Sequence, residues 1–337
     1  MNPIETIEAH TAGEPLRILT SGFPQPPGAT MLQRRAHARR HLDHLRRLVM
    51  LEPRGHADMY GALLTPPATV DGDVGVLFMH NEGFSTMCGH GIIALTKVGL
   101  ERGLFEADPD CVRIDTPAGR VVARAELDDG RVERVSFVNV PSFVDRELSV
   151  DVVGLGTVQV TVAYGGAYYA YVDAPTIGLD LEAANVGALI EQGMAIKRAV
   201  ASACDLRHPS GDDDLGFLYG TIFVGPRPGV HSRNVCVFAE GEVDRSPTGT
   251  GVSGRAAILH ARGERLQDWV TIESILGTSF EVRVAEVADL GGRPAVRPEV
   301  RGRAFVTGEA RFSLDPSDPI AAGFALRSTR AGPRKRG

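Results

Sequence analysis

The residues best suited to chemistry form a short stretch at positions 87–91, Met87-Cys88-Gly89-His90-Gly91. The apolar run at 92–100 predicts a buried helix, which places Cys88 at a helix N-terminus. Unpaired N–H groups and the positive end of the helix dipole favour a thiolate there. The glycines allow a ligand to approach closely, and the same N–H groups could hold a carboxylate. Cys88 is therefore a candidate reactive thiol, with an inert buried cysteine as the alternative.

The composition predicts a soluble globular protein. The chain has 337 residues, enough for two domains, and is 43% hydrophobic and 23% charged. Its 39 glycines and 21 prolines indicate many turns and a β-rich α/β fold. A net charge of −6 argues against a nucleic-acid partner, and the basic cluster at 327–336 is interpreted as a solvated terminus. With no signal peptide and no membrane-spanning stretch, a cytoplasmic location is expected.

The other cysteines offer no second chemical motif. Cys111, Cys204 and Cys236 lie far apart in sequence and lack glycine-turn contexts, so we expect them to be inert. The chain contains no C-x-x-C pair, which argues against a zinc ribbon or a thioredoxin site.

Local patterns predict the elements that position Cys88. A strand at 75–80 and a polar loop at 81–86 lead to the thiol. Residues 30–49 predict an amphipathic helix with a basic solvent face, and 181–203 predict a second amphipathic helix. A hairpin turn is expected at Asp128-Asp129-Gly130.

The chain contains an internal repeat. Cys88-Gly89-His90-Gly91 corresponds to Thr248-Gly249-Thr250-Gly251, and each tract precedes a short apolar helix that ends in Arg-Gly. Residues 112–116 and 270–274 then match at nearly the same offset, which favours duplication over chance. Two such units can face each other across a cleft, with both helix N-termini directed at one small anion. One unit carries a thiol and the other a hydroxyl.

Together with the residues before them, these tracts (residues 81–91 and 244–251) resemble the two signatures of the proline racemase family. Residues 10–15, 54–61 and 164–167 also fit that family. The resemblance implies a diaminopimelate-epimerase-like α/β fold (α+β) with two pseudo-symmetric domains. Each domain would be a curved, mostly antiparallel sheet around a central helix. The implied domains are residues 1–135 plus 313–337, carrying Cys88, and residues 136–312, carrying Thr248.

The resemblance also implies a reaction. Racemases and epimerases of the family carry a cysteine in both motifs, so that one thiolate removes the Cα proton and the other thiol returns one. Thr248 occupies the second position here, and its hydroxyl is too weak an acid or base for that exchange. The Cys/Thr pair resembles the branch that eliminates water from trans-3-hydroxy-L-proline to give Δ1-pyrroline-2-carboxylate. The family uses neither a metal nor an organic cofactor.

Site roles follow from the family motifs. Cys88 would be the base, Asp244 and the His90 side chain would bind the ring nitrogen, and backbone N–H groups would hold the carboxylate. Those N–H groups belong to Gly89, His90, Gly249 and Thr250. For Asp244 a turn cap is the alternative, and for His90 a capping or packing role. Six further loop residues would line the cleft or brace it: His10, Glu14, Arg54, His56, Asp58 and Glu82.

Stereochemistry adds one expectation. In trans-3-hydroxy-L-proline the Cα hydrogen and the hydroxyl share a ring face, so protonated Cys88 could help to protonate the departing hydroxyl. Thr248 would then orient the opposite face of the ring.

Two alternatives stay open. The first is a 4-hydroxyproline epimerase or a proline racemase, and the second is a non-catalytic homologue that only binds an imino acid. Family members commonly pair, so a homodimer is also left open.

Overall fold

The structure, a computed structural model, describes residues 3–326 of the chain. Seventeen strands in this part of the chain form one hydrogen-bonded sheet. The basic cluster at 327–336 lies outside the described residues. Within residues 3–326, no helix combines the length and the apolar character needed to cross a membrane.

The sheet has two halves joined edge to edge. The strands of the first half are β1 (Ile4–Thr11), β2 (Glu14–Ser21), β3 (Tyr60–Thr65), β4 (Val74–His80), β5 (Val112–Thr116), β6 (Gly119–Asp128), β7 (Arg131–Val138) and β17 (Ala304–Phe312). The strands of the second half are β8 (Phe143–Val152), β9 (Gly156–Tyr164), β10 (Tyr168–Asp173), β11 (Leu218–Gly225), β12 (Ser232–Phe238), β13 (Glu242–Val243), β14 (Val270–Glu273), β15 (Ser279–Leu290) and β16 (Arg293–Gly302).

The internal repeat is visible in the strand pairing. The first half has the order β17-β1-β2-β3-β4-β5-β6-β7, and the second half has the order β8-β9-β10-β11-β12-β14-β15-β16, with β13 added beside β12. Neighbouring strands are antiparallel except at two equivalent places in each half: β2–β3 and β4–β5, and β10–β11 and β12–β14. An antiparallel pairing of β7 with β16 joins the halves.

In the described part of the chain, five α-helices accompany the sheet, and two of them, the third and the fifth in chain order, each lie inside one half of it. The helices are α1 (Met31–His37), α2 (Asp43–Met50), α3 (Gly89–Arg102), α4 (Val186–Ala203) and α5 (Gly249–Ala261), with a π-helical turn at Ala38–Leu42 between the first two. Helix α3 contacts β1, β6 and β7, and α5 contacts β8, β9 and β15. Both are apolar on nearly every side, as expected for helices enclosed by a sheet. These elements agree with the predicted α/β architecture.

The strand pairing bears on the predicted domain limits. The predicted boundary at residue 135 lies inside β7, a strand of the first half. β17 pairs with β1, so the chain returns to the first half at Ala304 rather than at 313. Only Arg303 separates β16 from β17, and so no loop in the sequence marks this crossing. The division into two domains stays a prediction, and the pairing places residues 304–312 beside the strands of residues 4–138.

Two arginines of the predicted basic helix face are buried, which corrects the expectation of a solvent-exposed face. Arg35 Nε donates to the Phe84 carbonyl at 3.0 Å, and Arg46 Nη1 donates to the His80 carbonyl at 2.8 Å and to that of Asn81. These bonds hold the 80–84 loop, which leads to Cys88. Buried arginines are rare because the charge must find partners, and here backbone carbonyls and the carboxylates of Asp214 and Asp43 provide them.

Candidate active site

The N-termini of α3 and α5 meet between the two halves of the sheet. A Cβ atom placed on Gly89 would lie 2.5 Å from the Cα of Gly249, and the reverse placement gives the same distance. Only glycine permits backbones to approach this closely. The first N–H groups of each helix have no partner within that helix, so both positive helix ends face one site. The two predicted turns are therefore in contact.

A small cavity lies where the two helices meet. Its lining contains all seven predicted site residues and five others, namely Cys88, Gly89, His90, Asp244, Thr248, Gly249 and Thr250 with Tyr60, Met87, Tyr169, Tyr219 and Phe238. Its volume is about 20 Å³, enough for roughly one water molecule. A five-membered ring is larger than this space, so the site must open to admit a ligand of that size.

Cys88 caps α3 through its sulfur. The Gly91 N–H donates to Sγ at 3.3 Å, and the Nδ1 atom of His90 lies 3.2 Å from Sγ. Burial raises the pKa of the Cys88 thiol well above its usual value; the Gly91 bond lowers it, and the charge of Asp244 raises it further. Burial therefore opposes the thiolate that the helix N-terminus favours, and the thiolate stays a prediction.

The His90 side chain contacts the reactive sulfur. Burial lowers the pKa of its imidazole, so the closed site holds a neutral ring beside a neutral thiol. Two residues separated by one position do not face each other on a helix. The contact arises because Cys88 is still extended, with φ −147° and ψ 111°, which turns its side chain towards the first helical turn.

Thr248 breaks the symmetry of the two turns. Its φ of 66° lies in the left-handed region, which is strained for a β-branched residue. Its side chain does not cap α5, whereas Cys88 caps α3. Thr248 Oγ1 is buried near Cys236, and it makes no hydrogen bond of normal geometry to any residue between 3 and 326. This unpaired hydroxyl is available to a ligand in the cavity.

Asp244 has a structural and a ligand-facing aspect. Its Oδ1 accepts a bond from the Ser246 N–H at 2.8 Å, which is the turn cap considered as the alternative. Its own N–H donates to the Cys236 carbonyl at 3.1 Å, which fixes it beside β12. The carboxylate nevertheless lines the cavity. The cap thus orients the carboxylate, so a role as a turn cap is compatible with the predicted binding of the ring nitrogen.

Glu14 supports the Asp244 loop from the first half. It is fully buried, and its Oε2 accepts a bond from the Arg245 N–H at 2.7 Å. Its Oε1 has no hydrogen-bond partner among residues 3–326. Burial, and then the charge of Asp244, raise the pKa of Glu14 well above its usual value. Glu14 thus braces the site and does not line the cavity.

The other loop residues singled out by the sequence lie outside the cavity lining. Asp58 forms an ion pair with Arg245 at 3.0 Å, and His10 Nδ1 accepts a bond from the Gly13 N–H at 3.3 Å. Arg54 donates to the Leu48 carbonyl at 2.9 Å. His56 is exposed and Glu82 is half-buried. These positions brace loops around the cleft, and their roles in binding stay predictions.

The 164–167 motif packs against both signature turns. A Cβ atom on Gly165 would lie 2.2 Å from the carbonyl oxygen of Thr250, and one on Gly166 would lie 3.1 Å from the Cβ of Met87. The glycines are needed because backbone and side-chain atoms of both turns pass directly over them.

Sequence reasoning missed the aromatic wall of the cavity. Tyr60, Tyr169, Tyr219 and Phe238 lie on strands, where aromatic residues usually indicate core packing. Within residues 3–326, no cluster of three or more His, Cys, Asp or Glu side chains is placed to hold a metal ion.

Comparison with known proteins identifies the family of the chain. The family model described as Proline racemase matches residues 6–325. The chain belongs to the proline racemase family. A relative from Colwellia psychrerythraea, named trans-3-hydroxy-L-proline dehydratase, is 48% identical over 96% of this chain and 93% of its own length. Another from Burkholderia multivorans, named 3-hydroxyproline 2-epimerase, is 45% identical over 96% of this chain and 98% of its own length.

A solved structure supports the fold. The crystal structure of a hydroxyproline epimerase from Agrobacterium vitis, with bound trans-4-hydroxy-L-proline, is 31% identical and covers 96% of both chains with a TM-score of 0.91. The predicted family and fold class are confirmed.

Proposed function

We propose that this protein is a trans-3-hydroxy-L-proline dehydratase that forms Δ1-pyrroline-2-carboxylate without a metal or an organic cofactor. The observation that carries the proposal is the pairing of Cys88 with Thr248 in one closed cavity between two helix N-termini. Two-base racemisation needs an acid and a base on opposite faces of Cα. The Thr248 hydroxyl cannot supply a proton-exchanging group near neutral pH, so proton removal should lead to elimination.

The geometry supports a defined sequence of steps. The substrate carboxylate would lie between the first turns of α3 and α5, where N–H groups also stabilise the charge that develops at Cα. Asp244 would pair with the ring nitrogen. The Cys88 thiolate takes the Cα proton, the electrons of that C–H bond form the Cα–C3 double bond, and the C3–O bond breaks. The departing hydroxyl accepts the proton that Cys88 removed from Cα and leaves as water, and the enamine product tautomerises to the pyrroline.

Cys88 must first lose its own proton, since the closed site holds the neutral thiol. The nearest acceptor is His90 Nδ1 at 3.2 Å from Sγ. A transfer from Sγ to this nitrogen would create the thiolate beside an imidazolium, and the Asp244 charge favours the charged ring. His90 would then activate the base, a role added to its backbone N–H.

The direct test is turnover of trans-3-hydroxy-L-proline, with pyrroline detected as its o-aminobenzaldehyde adduct. Proline and 4-hydroxyproline serve as control substrates. Cys88→Ser should reduce elimination by at least about 10²-fold, the range expected for loss of a positioned base. Cys111→Ser is the matched control, because Cys111 lies outside the cavity. Full activity of Cys88→Ser would contradict the proposed base.

A second candidate is an epimerase acting on hydroxyproline, which the 45% identical relative from Burkholderia multivorans favours. Incubation in deuterated water separates the two. An epimerase incorporates deuterium at Cα and inverts that centre, whereas a dehydratase produces pyrroline. Thr248→Ala should retain substantial elimination, and Thr248→Cys should gain exchange with inversion. Complete loss in a folded, substrate-binding Thr248→Ala protein would refute the orienting role of Thr248.

A further inference from the structure

Two tyrosine hydroxyls meet in the wall of the active-site cavity. Tyr60 on β3 and Tyr219 on β11 come from opposite halves of the sheet, and their oxygens lie 3.2 Å apart. The Tyr60 hydroxyl also donates to Ser85 Oγ at 2.7 Å, and all three residues are buried. Both tyrosines line the cavity.

The pair lies on the Cys88 side of the cavity. The Tyr60 ring meets the His90 ring edge-on, with centroids 4.9 Å apart, and His90 Nδ1 is 3.2 Å from Cys88 Sγ. Burial raises the pKa of both phenols well above the usual value, so both remain protonated donors at neutral pH. A substrate whose Cα proton faces Cys88 would present the group on the same ring face to this part of the wall.

Apart from the unpaired Thr248 hydroxyl, which is expected on the opposite face of the ring, the other polar groups of the cavity already have partners or roles. The Tyr169 hydroxyl is bonded to Thr250 Oγ1 at 2.7 Å, and Asp244 is assigned to the ring nitrogen. The helix N–H groups are assigned to the carboxylate. The 3-hydroxyl of the substrate has no assigned partner, and the Tyr60–Tyr219 pair is a hydroxyl donor with no assigned function.

We propose that the Tyr60–Tyr219 hydroxyl pair binds the 3-hydroxyl group of the substrate and returns the abstracted proton to it as it leaves. This inference rests on the proposed dehydratase function. It fits the trans isomer, in which the Cα hydrogen and the hydroxyl share one ring face. It also assigns the departure of water to groups from both halves, so the site is complete only when the halves are closed.

The step balances without a further reactant. As the C3–O bond breaks, its electron pair stays on the oxygen, and the Tyr219 O–H bond transfers its proton there to give water. Tyr219 takes the proton of Tyr60, and Tyr60 takes the proton that Cys88 removed from Cα. Each tyrosine and the thiolate return to their starting states, and the Cα proton leaves with the hydroxyl.

A packing role is the competing explanation. Tyr219 stacks on Phe238 with centroids 5.3 Å apart, and Tyr60 stacks on His80 at 5.7 Å, so the rings also fill the space between the halves. A purely packing residue would affect proton removal and elimination together, and its phenylalanine variant would keep the ring contacts.

The experiment is done in deuterated water. It measures whether the substrate, after losing its Cα proton, loses its 3-hydroxyl group or takes up deuterium at Cα. Wild type, Tyr219→Phe and Tyr60→Phe are incubated with trans-3-hydroxy-L-proline, and both pyrroline formation and deuterium at Cα of the recovered substrate are followed. The phenylalanine variants should lose about 10²-fold in elimination. They should still exchange the Cα proton, so deuterated substrate accumulates. The matched control is Tyr168→Phe, because the Tyr168 hydroxyl donates to the Arg207 carbonyl at 3.1 Å outside the cavity.

The outcomes are distinguishable. An equal fall of exchange and elimination, or unchanged elimination, would overturn the role of the pair while wild-type pyrroline formation upholds the proposed function. Absence of pyrroline from the wild type itself, with inversion at Cα, would overturn the proposed function and this inference with it.

Discussion

Gly89→Ala tests whether the two helix N-termini must touch for the enzyme to work. The added Cβ would lie 2.5 Å from the Gly249 Cα, and at 2.9 Å from the Gly249 carbonyl carbon. These obstacles are backbone atoms at the start of α5, so no side-chain rotation relieves them. The first turns of α3 and α5 must therefore move apart. The N–H groups of these turns, which would hold the carboxylate, move apart with them.

The size of the effect follows from the distances. Carbon atoms in contact prefer separations of about 3.5–4.0 Å, so the turns must shift by roughly 1 Å. Misplacement of reacting groups by about 1 Å can cost on the order of 10²-fold in rate. Overpacking a buried site typically costs about 1–3 kcal/mol of stability. We therefore expect kcat/KM to fall by about 10²-fold in a protein that still folds.

The assay is pyrroline formation from trans-3-hydroxy-L-proline, combined with the free energy of unfolding in urea. Gly187→Ala is the matched control, because Gly187 is an exposed glycine of α4 with no atom within 4 Å of its added Cβ. Alanine in that helix should stabilise the protein by about 0.5–1 kcal/mol and leave turnover unchanged. A Gly89→Ala enzyme with wild-type kcat/KM would show that the contact is not required during turnover.

Four further predictions concern charge. The kcat/KM for elimination should rise with pH to a plateau above the ordinary thiol range of about 8.5, because burial raises the pKa of Cys88. Asp244→Asn should move the residual activity to lower pH, since the Asp244 charge raises that pKa. Burial raises the pKa of Glu14, so the stability that its neutral form contributes is present below the unfolded pKa of about 4.3 and is lost as pH rises through the folded pKa. The free energy of unfolding of Glu14→Gln in urea should therefore increase relative to that of wild type above about pH 4.3. Arg46→Met should lower the free energy of unfolding in urea by about 2–6 kcal/mol, because the carbonyls of His80 and Asn81 lose the hydrogen bonds from Arg46. Arg47 is exposed, so Arg47→Met should change the free energy of unfolding by no more than about 0.5 kcal/mol.

The pH-profile, Glu14 and Arg46 predictions each have an opposing result. A pH-independent kcat/KM between about 7 and 10 would contradict a raised thiol pKa. A difference in unfolding free energy between Glu14→Gln and wild type that does not change with pH would show that the carboxyl titrates normally. Equal effects of the two arginine substitutions would mean that the Arg46 bonds to the His80 and Asn81 carbonyls are not stabilising.

Much of the site could be predicted from sequence because it depends on local backbone chemistry. A glycine turn before an apolar run specifies a helix N-terminus wherever it occurs, so both signature turns and both buried helices were predictable. The hairpin at Asp128-Asp129-Gly130 was equally local, and Asp129 and Gly130 do adopt the positive φ angles of 46° and 74° that such a turn needs. The duplication then indicated that the two turns belong to one site.

Other features depend on distant residues and could not be predicted locally. The strand that returns to the first half begins at Ala304 after a one-residue link, which no turn signal marks. The pKa of Cys88 is governed by burial between the halves, and this outweighs the helix end that the sequence shows. Arg35 and Arg46 looked like a solvent face because their acceptors, the carbonyls of the 80–84 loop, are remote in sequence.

The sequence by itself determined which groups could do chemistry: a thiol and a hydroxyl, each at the start of a glycine-led helix. It did so because residue identity and backbone freedom are local properties. The tertiary structure decided how close those groups come, since Gly89 meets Gly249 only where helices enclosed by the two halves of the sheet converge. It also brought together Tyr60 and Tyr219, whose hydroxyls come within 3.2 Å only because strands from both halves meet at the cavity.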